Sequence, residues 1–144
     1  MFTFAITPFD ALSLTGLYDI LHLRDLVFVV GQKITCEPEV DGLDPAASHV
    51  EVRDEAGRLV ATARVFLGES PIIVGRGATR PDLQRSGVGT WMMQRLGEWL
   101  GDRPALLHAQ AHLEDWYARL GWTRCSDTYL EAEIPHVSMR RPKE

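Results

Sequence analysis

Long apolar runs are missing from this chain. No stretch approaches the ~18 residues that a membrane span needs, and the start, MFTFAITPFD, has neither a basic n-region nor an extended apolar segment. A membrane partner is therefore not expected, and a cytoplasmic location is. Cysteine is scarce as well. Cys36 and Cys125 stand alone, without a C-x-x-C or a His/Cys cluster at ligand spacing, so no metal and no disulfide framework is expected, and both read as ordinary reduced thiols. Excess positive charge is also lacking: 15 basic against 20 acidic residues leave a net charge of −5. That balance excludes a broad nucleic-acid surface and leans towards a cationic or neutral small substrate, with a basic patch only around Arg80 and Arg85.

What remains is the size and balance of one domain, spanning 1–144, with 45% hydrophobic and 24% charged residues. FTFAI (2–6) alternates and predicts a first strand, closed by Pro8 and Asp10. After a Ser13 cap, Leu14, Leu17, Tyr18 and Leu21 keep helical spacing, and the helix is expected to run on through HLRDLVFVV. GQKITCEPEVDGLDPAAS (31–48) has no period and predicts a long loop, a type of segment that is often functional. HVEVRD and RLVATARVFL flank EAG as a hairpin, and PIIVGRGAT (71–79) is the next strand. A helix over 88–100 carries Val88, Met92, Leu96 and Trp99 on one face and is stopped by GDRP. ALLHAQA (105–111) reads as a buried strand and LEDWYARLG (113–121) as a short helix ended by Gly121, while WTRCSDTYLEAEIP and HVSMRR predict a last strand pair. Together these elements imply an α+β, or mixed α/β, sheet.

The stretch QRSGVG (84–89) joins a strand to a helix through two glycines. Alone, a G-x-G is a bend wherever positive φ is needed. The Walker pattern fails because Gly89 is followed by Thr90 and Trp91, with no lysine for a β/γ-phosphate. The dinucleotide fingerprint fails at Met92. What survives is a helix N-terminus whose first amides suit a pyrophosphate, with Arg85 beside it.

QRSGVG resembles the Q/R-x-x-G-x-G/A acetyl-CoA signature of the GNAT acyltransferase superfamily. LRDLVFVVGQ (23–32), DGLD (41–44), VGRGATRPDLQRSGVG (74–89), AQAHLEDWYARLGW (109–122) and IPHVSM (134–139) resemble, in the same order, its ElaA-like branch. The resemblance implies a mostly antiparallel central sheet of about six to seven strands, splayed in the middle and flanked by about four helices. It also implies acetyl-CoA as co-substrate. The pantetheine arm would lie along the backbone of Gly77, Ala78 and Thr79, in the manner of an added strand. The pyrophosphate would lie on Gln84, Arg85, Ser86, Gly87, Val88, Gly89 and Thr90.

Acyl transfer to an amine needs a neutral amine, a stabilised oxyanion and a proton for the departing thiolate. By resemblance Tyr117, four residues before Gly121, supplies that proton, although Trp116, Tyr117 and Leu120 also form a face that packs. Candidates for the base are Glu131, His112, His136 and His49, and Glu131 equally suits a solvated strand edge. The family pattern places Arg24, Phe28, Gln32, Asp41, Asp44 and His49 at the acceptor pocket, with His112 and His136, whereas ion pairing between helix and loop explains the charged ones as well. Two departures stand out. Gly31 replaces an expected Glu, and Gly77 replaces a branched residue in a strand that glycine weakens. The expected function is N-acetyl transfer to a small-molecule or peptide amine by direct transfer in a ternary complex. The alternative is a non-catalytic acyl-CoA-binding module. The sequence leaves the assembly open, with a homodimer among the partners considered.

Overall fold

The computed structural model describes residues 1–142. Eight strands form one sheet: β1 (Thr3–Pro8), β2 (Ser48–Arg53), β3 (Leu59–Phe66), β4 (Ile72–Thr79), β5 (Ala105–Gln110), β6 (Thr123–Arg124), β7 (Tyr129–Glu131) and β8 (Ile134–Arg141). The order runs β1-β2-β3-β4-β5-β8-β6, with β7 also pairing β8. Every pairing is antiparallel except β4 with β5. Three α-helices complete the fold: α1 (Leu14–Arg24), α2 (Val88–Leu100) and α3 (Glu114–Arg119). The sheet thus has more strands than the six to seven expected, because the segment before the long β8 breaks into two short strands, β6 and β7. The α-helices number three, and the predicted first helix changes character after Arg24.

There, Asp25–Gly31 widens into a π-helix, with Gln32 N donating to Val27 O. Such widened turns recur at functional sites. The buried face of α1 also differs from the Leu14/Tyr18 stripe. Leu14 is 89% and Tyr18 70% exposed, whereas Gly16, Ile20, Leu23 and Arg24 are buried. A Cβ at Gly16 would sit 3.0 Å from Ser13 Oγ, so glycine leaves the cap its room, while Glu51 Oε1 of β2 would lie at an ordinary contact distance of 3.4 Å. The Ser13 cap forms, accepting from Gly16 N at 2.9 Å.

α2 buries Val88, Met92, Met93, Leu96 and Leu100 in the main core, where Val50, Val65, Val74, Leu107, Val137 and Met139 meet them. Each fully buried Leu or Met contributes roughly 1.5–3 kcal/mol. Trp99 falls off this stripe and is exposed, with the Arg103 guanidinium 4.2 Å over its ring, because the buried row advances by four to Leu100. A second cluster of Ile20, Leu23, Val27, Leu59 and Ala78 ties α1 to the sheet.

The last strands turn at Ala132 (φ 52°) and Glu133 (φ 64°), a two-residue hairpin built without glycine or asparagine. That moves the start of β8 to Ile134 and leaves Glu131 at the tip of β7. Gly121 (φ 98°) ends the α3 turn as expected, with Trp122 N donating to Tyr117 O. Cys36 and Cys125 are free and exposed. No helix among the described residues is long and apolar enough to cross a membrane.

Candidate active site

β4 and β5 pair only over Ile72–Val74 and Ala105–Leu107. Beyond that point β4 bulges: Arg76 (φ 52°) and Gly77 both stand opposite Ala63, since Thr62 pairs Ala78 while Arg64 pairs Gly75. The bulge bends β4 away from β5 and opens a cleft of ≈ 640 Å³. Gly77, Ala78 and Thr79 lie along one wall. A Cβ at Gly77 would meet nothing within 4 Å, so this glycine widens the cleft and makes no close contact within the chain.

The 84–90 loop closes one end of the cleft. Gln84 donates to Thr79 O at 3.3 Å, which fastens the loop to the end of β4. Arg85 (φ 69°) and Gly87 (φ 94°) take left-handed conformations, and α2 starts with no side-chain cap. Ser86 spends both its amide and its hydroxyl on Leu83 O, so it is a brace for the loop and leaves no donor for a ligand. The amides of Arg85, Gly87, Val88, Gly89 and Thr90 have no acceptor among the described residues. Val88 contributes only its backbone, because its side chain is in the core. Unpaired amides at a positive helix end fit an anion such as a pyrophosphate. Gly89 is kept small by close packing, since a Cβ would lie 3.1 Å from Thr79 Oγ1 and 3.7 Å from the Trp116 ring. Trp116 Nε1 donates to Thr90 Oγ1 at 3.1 Å and so docks α3 on the helix start.

Tyr117 follows Trp116 into the same cleft, with the two rings edge-to-face at 4.8 Å. Its hydroxyl has no hydrogen-bond partner among the described residues, and burial pushes its pKa up to about 12. It is protonated at any ordinary pH and faces a gap, which is what a proton donor requires.

The other end is built from side chains. Phe28 and Gln32 line it from the π-helix, where Gln32 and Gln110 exchange amide hydrogen bonds at 3.0 and 3.3 Å. His112 lines it without a hydrogen-bond partner among the described residues, while Glu131 holds His108 through Nδ1 at 3.0 Å. The hydrogen bond to Glu131 raises the His108 pKa, and the same bond lowers that of Glu131. His136 is buried, its Nδ1 donating to Ile134 O at 2.7 Å and its Nε2 lying 3.8 Å from Glu131 Oε2.

Arg24 and His49 do not line the cleft. Arg24 is 1% exposed and donates to Glu39 and to Asp44, each at 2.8 Å. His49, also 1% exposed, has Nε2 against Asp44 O at 3.1 Å, and burial lowers its pKa. Asp41 and Asp44 serve the same brace: Arg64 donates to both at 3.0 Å, and Arg76 donates to Asp41 at 3.3 Å. Burial alone would raise the Asp41 carboxyl, but the Arg64 and Leu43 hydrogen bonds, with the Arg64 and Arg76 charges, bring it to about 2. Three guanidiniums and the carboxylates of Glu39, Asp41 and Asp44 thus pin the 37–44 segment over the sheet. Gly31 is exposed and is not among the residues lining the cleft, whereas the carboxylate-bearing Glu37, Glu39 and Glu131 are.

His108 and Glu39 escaped the sequence reading. His108 had a signal: in ALLHAQA it shares a period-2 face with Gln110, a polar row that a fully buried strand does not carry. Glu39 sits in an aperiodic loop and had none. No group of three or more His, Cys, Asp or Glu suited to hold a metal occurs among the described residues.

The acetyltransferase (GNAT) domain family matches residues 43–142. A UPF0039 protein of Schizosaccharomyces pombe is 38% identical over 143 residues, 95% of each chain. The crystal structure of Escherichia coli ElaA superposes with TM-score 0.86 at 30% identity, covering 99% of this chain and 100% of that one. An acyl-CoA N-acyltransferase from Pseudomonas aeruginosa superposes with TM-score 0.85 at 36% identity, covering 97% and 99%.

Proposed function

This chain belongs to the acetyltransferase (GNAT) domain family, and from that premise we propose that it is an acyl-CoA-dependent N-acyltransferase. In this reading it moves an acetyl group from acetyl-CoA to a primary amine, on a small molecule or a peptide, by direct transfer in a ternary complex. One observation carries the reading. The strand gap beyond Val74, the unpaired amides at the start of α2 and the unpartnered Tyr117 hydroxyl all open into a single cleft.

The division of labour follows from what each wall offers. Amides of Arg85 and of Gly87 to Thr90 hold the pyrophosphate, while the β4 backbone from Gly77 to Thr79 pairs with the pantetheine amides as an added strand would. The thioester is then delivered to the end of the gap near Tyr117. The amine nitrogen attacks the carbonyl carbon, the C–N bond forms, and the C–S bond breaks as Tyr117 protonates the departing sulfur. Phe28, Gln32 and His112 face the acceptor, and Glu131 and His136 stand at its charged end.

A thiol-release assay with acetyl-CoA and a panel of primary amines tests this directly, with thermal shift in parallel. Turnover together with stabilisation by CoA is expected. Tight CoA binding without turnover of any amine would assign the fold to a non-catalytic acyl-CoA module. Stabilisation by ATP and none by CoA would overturn the reading altogether.

A further inference from the structure

The acceptor reaches the enzyme as an ammonium ion and must lose a proton before it can attack, so the cleft needs a base. Five histidines are available, and four are unsuited. His22 is on α1, outside the cleft, and His49 is sealed behind the arginine brace. His112 has no carboxylate partner among the described residues, and buried His136 commits Nδ1 to Ile134 O. Only His108 combines an open position on the cleft wall, with its side chain 41% exposed, and a hydrogen-bonded carboxylate.

Resting on the acyltransfer reading above, we propose that His108 is the catalytic base, taking the amine proton on Nε2, and that Glu131 is its positioning residue. The geometry sets the tautomer. A carboxylate can only accept, so the 3.0 Å contact places the proton on Nδ1 and leaves the Nε2 lone pair free. Glu131 also favours the imidazolium that forms. Glu131 itself is the poorer base: an ordinary carboxylate titrates about two units below an imidazole, roughly 100-fold weaker, and His108 lowers it further.

The groups facing the pair come from three strands. Tyr129 on β7 meets the His108 ring edge-on at 6.0 Å, Ser138 and His136 approach from β8, and the Arg76 charge on β4 acts on Glu131. The protons balance. One passes from the ammonium to His108 and on to solvent. The second leaves the nitrogen of the tetrahedral intermediate and replaces the one that Tyr117 gives to the thiolate. The products are the amide, free CoA thiol and one proton released.

Ethylamine and 2,2,2-trifluoroethylamine separate this step from the rest, because they are close in size but the fluorinated amine is already neutral near neutral pH. With acetyl-CoA, H108Q is expected to lower kcat/KM for ethylamine by about 100-fold or more, to lower it for trifluoroethylamine less than about 10-fold, and to abolish the ascending limb of the pH profile. The KM for acetyl-CoA should not move. E131Q should shift that limb to lower pH, because the carboxylate that favours imidazolium is gone. An NMR titration of the His108 ring, which needs no change at position 108, should show a midpoint above 6.5 in the native chain and a lower one in E131Q. Equal losses for both amines in H108Q, or an unmoved His108 titration in E131Q, would overturn the base pair alone. No turnover of any amine of the panel by the native chain would overturn acyl transfer to amines, and the base with it.

Discussion

The two ends of the cleft are made of different material. The α2 end is backbone: amides left unpaired by a left-handed Gly87, an uncapped helix start, and a β4 edge freed by a bulge. The acceptor end is side chain: the Glu131–His108 pair, the Gln32–Gln110 exchange, and the arginine brace that pins the 37–44 segment. Backbone donors recognise a phosphate whatever residues surround them, so the first end suits a ligand common to a family. Side-chain recognition changes with each substitution, so the second end is where a family can vary its acceptor.

Tyr117 stands where the two ends meet, and its substitution should have the largest effect. Y117F removes only the proton donor. In single-turnover experiments it is expected to lower the transfer rate by about 10²–10⁴-fold, with the KM for acetyl-CoA unchanged. An unchanged chemical step would show that Tyr117 is a packing residue of the Trp116 face, and the division into two ends would lose its meeting point.

D44A tests whether the acceptor end is held by its ion network. Asp44 accepts from both Arg24 and Arg64, which are buried. Its loss leaves Arg24 with Glu39 and Arg64 with Asp41, at a cost of about 3 kcal/mol and roughly 10 °C in Tm. The KM for the amine should rise while that for acetyl-CoA stays put. The same network sets acid sensitivity. With its folded pKa near 2, Asp41 contributes stability that is fully present above its unfolded value and is lost as pH falls towards 2. If D44A weakened acetyl-CoA as much as the amine, the two ends would be one unit.

The α2 end was also the legible one. Glycine at a strand-to-helix junction is a local signal for a bend, and the family resemblance carried by QRSGVG and by Tyr117 ahead of Gly121 added the ligand and acid readings. The acceptor end was read poorly because its contacts are long-range. Asp44 meets Arg64 across 20 residues and His108 meets Glu131 across 23. The turn that puts Glu131 in reach uses Ala132 and Glu133 at positive φ, residues that carry no hairpin signal. Arg24 and His49 illustrate the same limit. The resemblance placed both at the acceptor pocket and the structure places both in the network behind it, because nothing local says whether a polar side chain faces a cleft or braces its wall.

G87A sharpens the comparison from the other side. At φ 94° any Cβ is strained, by about 1–2 kcal/mol, although no neighbour obstructs it. The strain is relieved by re-aiming the amides of Val88 to Thr90, so the KM for acetyl-CoA should rise about 10-fold with kcat and the KM for the amine little changed. A loss of kcat with unchanged acetyl-CoA affinity would remove the phosphate role from this loop.

The smallest effect is expected at Gly77. Its φ is not left-handed, and an added Cβ meets nothing within 4 Å, so alanine brings no clash and removes the entropy that glycine loses in a strand. G77A should therefore raise stability by about 0.5–1 kcal/mol, seen as a small rise in Tm. It should leave the KM for acetyl-CoA within about twofold if pantetheine is held by backbone, because alanine adds no group that alters the amide and carbonyl of residue 77. A marked loss of acetyl-CoA affinity would mean instead that the ligand needs the open space above Gly77, and that this end of the cleft, too, is specified by a side chain, here by its absence.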